Sequence, residues 1–303
     1  MRIAVTGKEG QVVRSLIERS AAAGHDIVTV GRPEIDLAGE PDSIVPALEA
    51  ATPDVIVSSA AYTAVDRAES ERDIAFAINQ RGAAAVAQAA AKLAVPLIHL
   101  STDYVFDGTK RAPYVETDET GPASVYGASK LAGEEAVVAA HANAAVLRTA
   151  WVYSPFGANF VKTMLRLAGD RDEVSVVADQ LGNPTSALDI ADGILGVASN
   201  LTSSQDAALR GTFHMTAKGE ATWADFAEAI FEASAKAGGP RARVRRITTA
   251  DYPTPARRPA NSRLDSTKLE QAHCVRLPDW SSSLPQVVRR LVAATTQMKV
   301  SQR

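Results

Sequence analysis

The sequence predicts an α/β fold: a Rossmann-type doubly wound parallel sheet with a smaller, interdigitated C-terminal region. Three observations predict it. Short β-rich runs alternate with longer alanine-rich stretches through the first half of the chain, the rhythm of parallel strands joined by crossover helices. A glycine-containing turn, Gly7-Lys8-Glu9-Gly10, directly follows the first apolar run. The alternation loosens after about Trp151, where prolines interrupt 182–185 and 252–259.

Taken in order, the aliphatic and β-branched runs Ile3–Thr6, Asp26–Val30, Val55–Ser58, Leu97–Ser101 and Ala145–Leu147 read as strands. Helices are expected to begin near Gln11, Pro41, Glu71 and Val125. Right-handed crossovers then put a ligand crevice beyond the carboxyl ends of the strands. Gly7, the segment 60–63 and Thr102 all fall at such ends. Residues 1–150 are expected to form a dinucleotide-binding domain, joined by strands returning from about 174–177 and 212–215. Residues 151–303 would mainly form the second region.

The 303 residues are 46% hydrophobic and 22% charged, ordinary for a globular protein and wrong for a fibrous or disordered one. A net charge of -3 gives no reason to expect nucleic acid or an anionic membrane as partner. No apolar run approaches the roughly 18 residues a bilayer span needs. Cys274 is the single cysteine, and no Cys/His cluster has zinc-ligand spacing, so neither an internal disulfide nor a metal is expected. The first residues enter a strand-like run without an apolar leader. A cytoplasmic protein with a small partner is the expectation; a homodimer is left open.

Glycines at 7 and 10 permit a tight turn and close backbone approach, and the free amides at the start of the following helix, near Gln11 and Val12, favour a pyrophosphate. A plain strand-to-helix turn is the competing reading. Val13 stands where a third glycine would let helix and strand pack closely, so a looser or displaced helix is expected. No acidic residue directly follows Val30 to hold a ribose 2′-hydroxyl, whereas Arg32 lies within reach of a 2′-phosphate. This favours NADPH, with NADH as the alternative and a solvated loop charge as the bland account of Arg32. Asp36 and Leu37 would then lie near the adenine, and Ala60, Ala61, Tyr62 and Thr63 near the phosphates and ribose.

Tyr126 and Lys130 are one helical turn apart, so phenol and ammonium share a helix face. Lowering a phenol from about 10 to about 7 takes roughly 4 kcal/mol. A unit charge at about 4 Å supplies this when the effective dielectric is near 20. Lys130 could therefore make Tyr126 a usable acid, with Thr102 beside it; a solvated lysine next to a half-buried tyrosine is the alternative. Trp223 and Phe226 read as core positions on a helix capped by Thr222.

These residues carry a resemblance. The turn at 7–13, the runs at 58–66 (SSAAYTAVD), 101–108 (STDYVFDG) and 126–130 (YGASK), and later 148–153 (RTAWVY), 179–185 (DQLGNPT) and 255–264 (PARRPANSRL) resemble the extended short-chain dehydrogenase/reductases. More narrowly, they resemble the dTDP-4-dehydrorhamnose reductase family, over nearly the whole chain. The resemblance implies NADPH-dependent reduction of the C4 ketone of dTDP-4-dehydro-L-rhamnose. It implies Thr102, Tyr126 and Lys130 as the catalytic trio, with Tyr126 and Lys130 also on the cofactor. Thr102, Asp103, Tyr104 and Trp151 would meet the dTDP-sugar, and Asn79 would stand behind the lysine. Ser15 occupies a place where some members carry a glutamate linked to a magnesium-bridged dimer, and its hydroxyl cannot replace that ligand. Competing readings are a reductase or epimerase of another keto-deoxysugar nucleotide, and a non-catalytic NADP-binding regulatory subunit. A 4,6-dehydratase is disfavoured because Asp103 is followed by Tyr104 rather than a second acid.

Overall fold

The computed structural model describes residues 1–39 and 41–301. Its first strands are β1 (Arg2–Thr6), β2 (Asp26–Val30), β3 (Val55–Ser58), β4 (Leu97–Thr102) and β5 (Ala144–Thr149). The last three are buried at every position. A strand with no polar face must be covered on both sides, the condition that crossover helices meet in a parallel sheet.

Two further strands, β6 (Glu173–Val177) and β7 (Gly211–His214), follow, and then β8 (Arg243–Ile247). The main sheet runs β7-β5-β4-β3-β1-β2, with all pairings parallel. The chain reverses its direction of travel across the sheet between β1 and β3, and a crevice opens at such a switch point.

The helices are α1 (Gln11–Ala23), α2 (Ile44–Ala50), the run α3 over 72–92, α4 (Val125–Ala140), α5 (Phe160–Asp170), α6 (Ala187–Ser203), α7 (Trp223–Lys236), α8 (Thr267–His273) and α9 (Trp280–Ser301). Alternate strand residues serve opposite faces. Val5, Val57 and Leu147 pack with Leu16 of α1 and Ile190 of α6, whereas Ala4, Ile56 and Val146 pack with Leu48, Val86 and Val137 of α2 to α4. A separate cluster joins Val161, Val174, Phe226, Ile230 and Val288 around α5, α7 and α9. Thr222 and Asp225 close a reciprocal capping box on α7, as the sequence led one to expect. Among the described residues no helix is long and apolar enough to cross a membrane.

The expected return of 212–215 to the main sheet is met by β7. The expected return of 174–177 is not: β6 pairs with β8 in a separate two-stranded parallel sheet. The reason lies in its pattern, which alternates exposed and buried residues. Such a strand has one apolar face and cannot enter a sheet covered on both. The helix expected near Pro41 begins as a 3₁₀ turn, Pro41–Ser43, before α2. Within α3, residues Ala77–Gly82 are π-helical, a distortion frequent at functional sites.

Candidate active site

At the nucleotide end, Gly7 has φ +95°, a conformation that favours glycine, and its amide bonds the carbonyl of Val30 at 2.8 Å. Gly10 starts α1 without a side-chain cap, so the first amides of the helix, at Gln11 and Val12, are left for a ligand. Val13 is buried in the core with Val5 and Val57; the helix accommodates it, and α1 stays docked on the sheet. The Gln11 side chain accepts hydrogen bonds from Ser154 (2.8 Å) and Asn159 (3.0 Å). It ties the turn after β1 to the start of α5. The Ser15 hydroxyl donates to the Gln11 carbonyl at 2.8 Å.

The loop after β3 is fixed from two sides. The amides of Ser59 and Ala60 both donate to the Thr6 hydroxyl at 3.0 Å. Asn79, in the π segment, accepts from the amide of Tyr62 (2.8 Å) and donates to its carbonyl (3.1 Å) and to Ser129 (2.9 Å). Asn79 therefore positions Ala61, Tyr62 and Thr63 and braces α4, one residue before Lys130. Arg32 is exposed just beyond β2. The first acid after that strand, Glu34, pairs with Lys8 at 2.6 Å. Asp36 caps its own turn through the amide of Ala38 (3.0 Å), and Leu37 is buried.

Thr102 ends β4 and Tyr126 opens α4. Two glycines let them meet: a Cβ on Gly127 would fall 2.2 Å from the Tyr104 carbonyl oxygen, and one on Gly133 would fall 2.1 Å from that of Asn79. The first turn of α4 is thereby seated on the Asp103–Val105 turn, and its middle on α3. The Tyr104 and Tyr126 rings meet edge to face with centroids 5.5 Å apart. Thr102 donates to Asp103 Oδ1 at 2.9 Å. Asp103 Oδ2 is buried without a well-aligned partner, though the Ser262 hydroxyl is near enough to act on the carboxyl. Burial lifts the Asp103 pKa to about 6.

The charge argument for Tyr126 is corrected by the structure. Burial pushes the phenol up to about 12, a hydrogen bond with Thr102 works against this, and the Asp103 charge adds to it. Lys130 is not among the groups acting on it. The buried ammonium instead donates to the Leu100 carbonyl at 2.7 Å and lies 3.5 Å from His99 Nε2. Burial lowers the Lys130 pKa to about 8, opposed by the carboxylate of Glu134. Glu134 in turn holds Arg148 through Nε (3.0 Å) and Nη2 (2.7 Å) and accepts from Ser101. This buried pair locks α4 to the ends of β4 and β5.

Trp151 has φ +46°, a strained conformation for a bulky residue. Its indole stacks on Trp223, with centroids 3.5 Å apart and planes at 6°. Trp223, which reads as core from the sequence, is half-buried and bonds Gln180 at 3.2 Å; Phe226 is core. Asn183 bonds Gly219 and Leu264 and is structural. Arg258 pairs with Asp66 at 2.7 Å and so ties 252–259 to the loop after β3. Pairing of Arg258 with a carboxylate is one of two readings its sequence allows, the other being contact with a diphosphate; no local pattern names Asp66 as the partner, His99 behind Lys130, or the Gln11 to Asn159 tie, because each joins residues far apart in the chain. A cleft of about 370 Å³ beside Lys218 and Arg263 lies away from the Tyr126 cluster.

Comparison with known proteins gives concordant matches. The sequence profile described as RmlD substrate binding domain matches residues 1–293. A dTDP-4-dehydrorhamnose reductase of Sinorhizobium fredii is 54% identical over 294 residues, which is 97% of each chain. The crystal structure of a dTDP-4-dehydrorhamnose reductase from Clostridium acetobutylicum is similar with a TM-score of 0.87 and 35% identity, covering 95% of this chain and 98% of that one. The Bacillus anthracis dTDP-4-dehydrorhamnose reductase, crystallised in complex with NADP, also has a TM-score of 0.87, at 34% identity, covering 94% and 98%.

Proposed function

The chain belongs to the RmlD substrate binding domain family, that of the dTDP-4-dehydrorhamnose reductases, and from that premise we propose that it reduces the C4 ketone of dTDP-4-dehydro-L-rhamnose with NADPH. The observation that carries the reading is the half-buried Tyr126 phenol, placed beside Thr102 at the carboxyl end of β4 and near a carboxyl whose Oδ2 has no aligned partner.

The residues at the switch point suit a dinucleotide. The turn from Gly7, with its positive φ, to Gly10 and the uncapped amides of Gln11 and Val12 would hold the pyrophosphate, and Arg32 a 2′-phosphate. Asp36 and Leu37 would face the adenine. Ala60, Ala61, Tyr62 and Thr63, held by Thr6 and Asn79, would follow the ribose and phosphates. When bound, NADPH supplies the hydride. Residues 1–150 would thus serve the cofactor, and 151–303 mainly the sugar nucleotide.

Tyr126 is the proton donor. With a pKa near 12 the phenol stays protonated at neutral pH. An alkoxide forming at the sugar carbon is more basic than a phenolate, so the proton moves downhill to it. Reduction therefore needs no phenol tuned to 7. Thr102 orients the phenol, and the charged Lys130, one turn along α4, would hold the ribose next to the nicotinamide. Asp103, with one free oxygen, and Tyr104 would bind sugar hydroxyls beside the Trp151 indole.

The test is NADPH oxidation with dTDP-4-dehydro-L-rhamnose generated in place, with the NADH rate as comparison. One NADPH should be consumed per product, which separates reduction from epimerisation. Tyr126→Phe should lose about 10²- to 10⁴-fold in kcat while retaining NADPH binding. Undiminished turnover in that variant rejects the assignment.

A further inference from the structure

Beneath Lys130, on β4, lies a fully buried imidazole with no part in the chemistry described above. Resting on the role given to Lys130 in the proposed reduction, we propose that His99 is a positioning residue: a hydrogen-bond acceptor, keyed by Ser58, that holds the Lys130 ammonium charged and aimed.

An ammonium has three donors and no acceptor. The Leu100 carbonyl takes one N–H at 2.7 Å, and His99 Nε2 lies 3.5 Å from the same nitrogen. Facing an ammonium, Nε2 must offer its lone pair, so the ring carries its proton on Nδ1. That nitrogen lies 3.1 Å from the Ser58 hydroxyl, which accepts it. The tautomer is thus fixed from β3, and two of the three Lys130 donors are spent on the sheet side, leaving the third for the side of α4 that bears Tyr126.

His99 stays neutral because burial holds its pKa well below 6.5 and the Lys130 charge acts in the same direction. The charges around the pair are Lys130 itself, Glu134 one turn along α4, and Arg148 of β5, which is bound to Glu134. Glu134 favours the ammonium through space, whereas His99 favours it through a directed lone pair.

Replacing His99 by Phe removes the acceptor while retaining a ring. The alkaline fall of kcat, expected near the Lys130 pKa of about 8, should move down by about one pH unit, a tenfold loss of charged lysine at a given pH in that range. His99→Gln, whose carbonyl can reach the ammonium, should recover most of this shift. An alkaline limb that stays in place in His99→Phe overturns the proposal, even when kcat or thermal stability falls uniformly, since a merely structural role predicts that outcome.

The same shift should appear, without substrate, in an NMR titration of ¹³C-labelled lysine. A wild-type protein inactive on the keto-sugar nucleotide would reject the reductase reading, yet this titration would still decide the role of His99. Should His99→Phe fail to fold, Ser58→Ala provides the second test: it frees the tautomer and should shift the lysine in the same direction by less. An unmoved lysine in Ser58→Ala would then overturn the proposal.

Discussion

Asp103 lies against Thr102 in the candidate site, and its buried carboxyl keeps a proton to about pH 6 instead of 3.8. In the unfolded chain the group ionises near 3.8. Its contribution is fully present below that value and is lost as pH rises through about 6, because the folded state then holds a desolvated charge. About two pKa units correspond to ~3 kcal/mol. Asp103→Asn removes the charge and keeps an acceptor for the Thr102 hydroxyl. The variant should therefore be more stable than the wild type by up to ~3 kcal/mol at about pH 8, by about half as much at pH 5, and scarcely at pH 4. Urea unfolding of both proteins at the three pH values measures the gap. A gap that does not widen with pH, or a variant less stable at the highest pH, refutes the argument that burial rather than hydrogen bonding dominates this carboxyl. Activity should fall in the same variant, since the free oxygen is assigned to the sugar.

Gly133→Ala should destabilise despite the ~1 kcal/mol that alanine gains in a helix interior. The added carbon would lie 2.1 Å from the Asn79 carbonyl oxygen, so α4 must lift from α3 at a net cost of about 1–3 kcal/mol; a raised thermal midpoint rejects this. Glu134→Gln leaves the Arg148 guanidinium, 6% exposed, without its carboxylate. A loss of about 3 kcal/mol is expected, and an unchanged urea midpoint would show that the pair is dispensable. Arg32→Ala should raise the KM for NADPH about tenfold and leave that for NADH unchanged; equal effects on both would place the 2′-phosphate elsewhere.

Much of this architecture can be read from local pattern. The runs at β3, β4 and β5 are apolar throughout, which only a sheet covered on both faces can bury. Gly7 and Gly10 mark the turn between β1 and α1, and the spacing of Tyr126 and Lys130 puts them on one face of α4. These features depend on neighbours in sequence, so the sequence states them directly.

What it could not state is where those groups point and what surrounds them. Helical spacing brought Lys130 near Tyr126, yet the ammonium turns to the Leu100 carbonyl and His99, and the phenol is governed by burial. The same holds for Trp223, whose partner Trp151 is 72 positions away, and for β6, which pairs with β8 rather than the main sheet. Desolvation and long-range pairing sum over residues brought together only by folding. The chain by itself therefore determined the elements and the reactive groups, while the tertiary structure decided their protonation, their orientation and the partners that hold them.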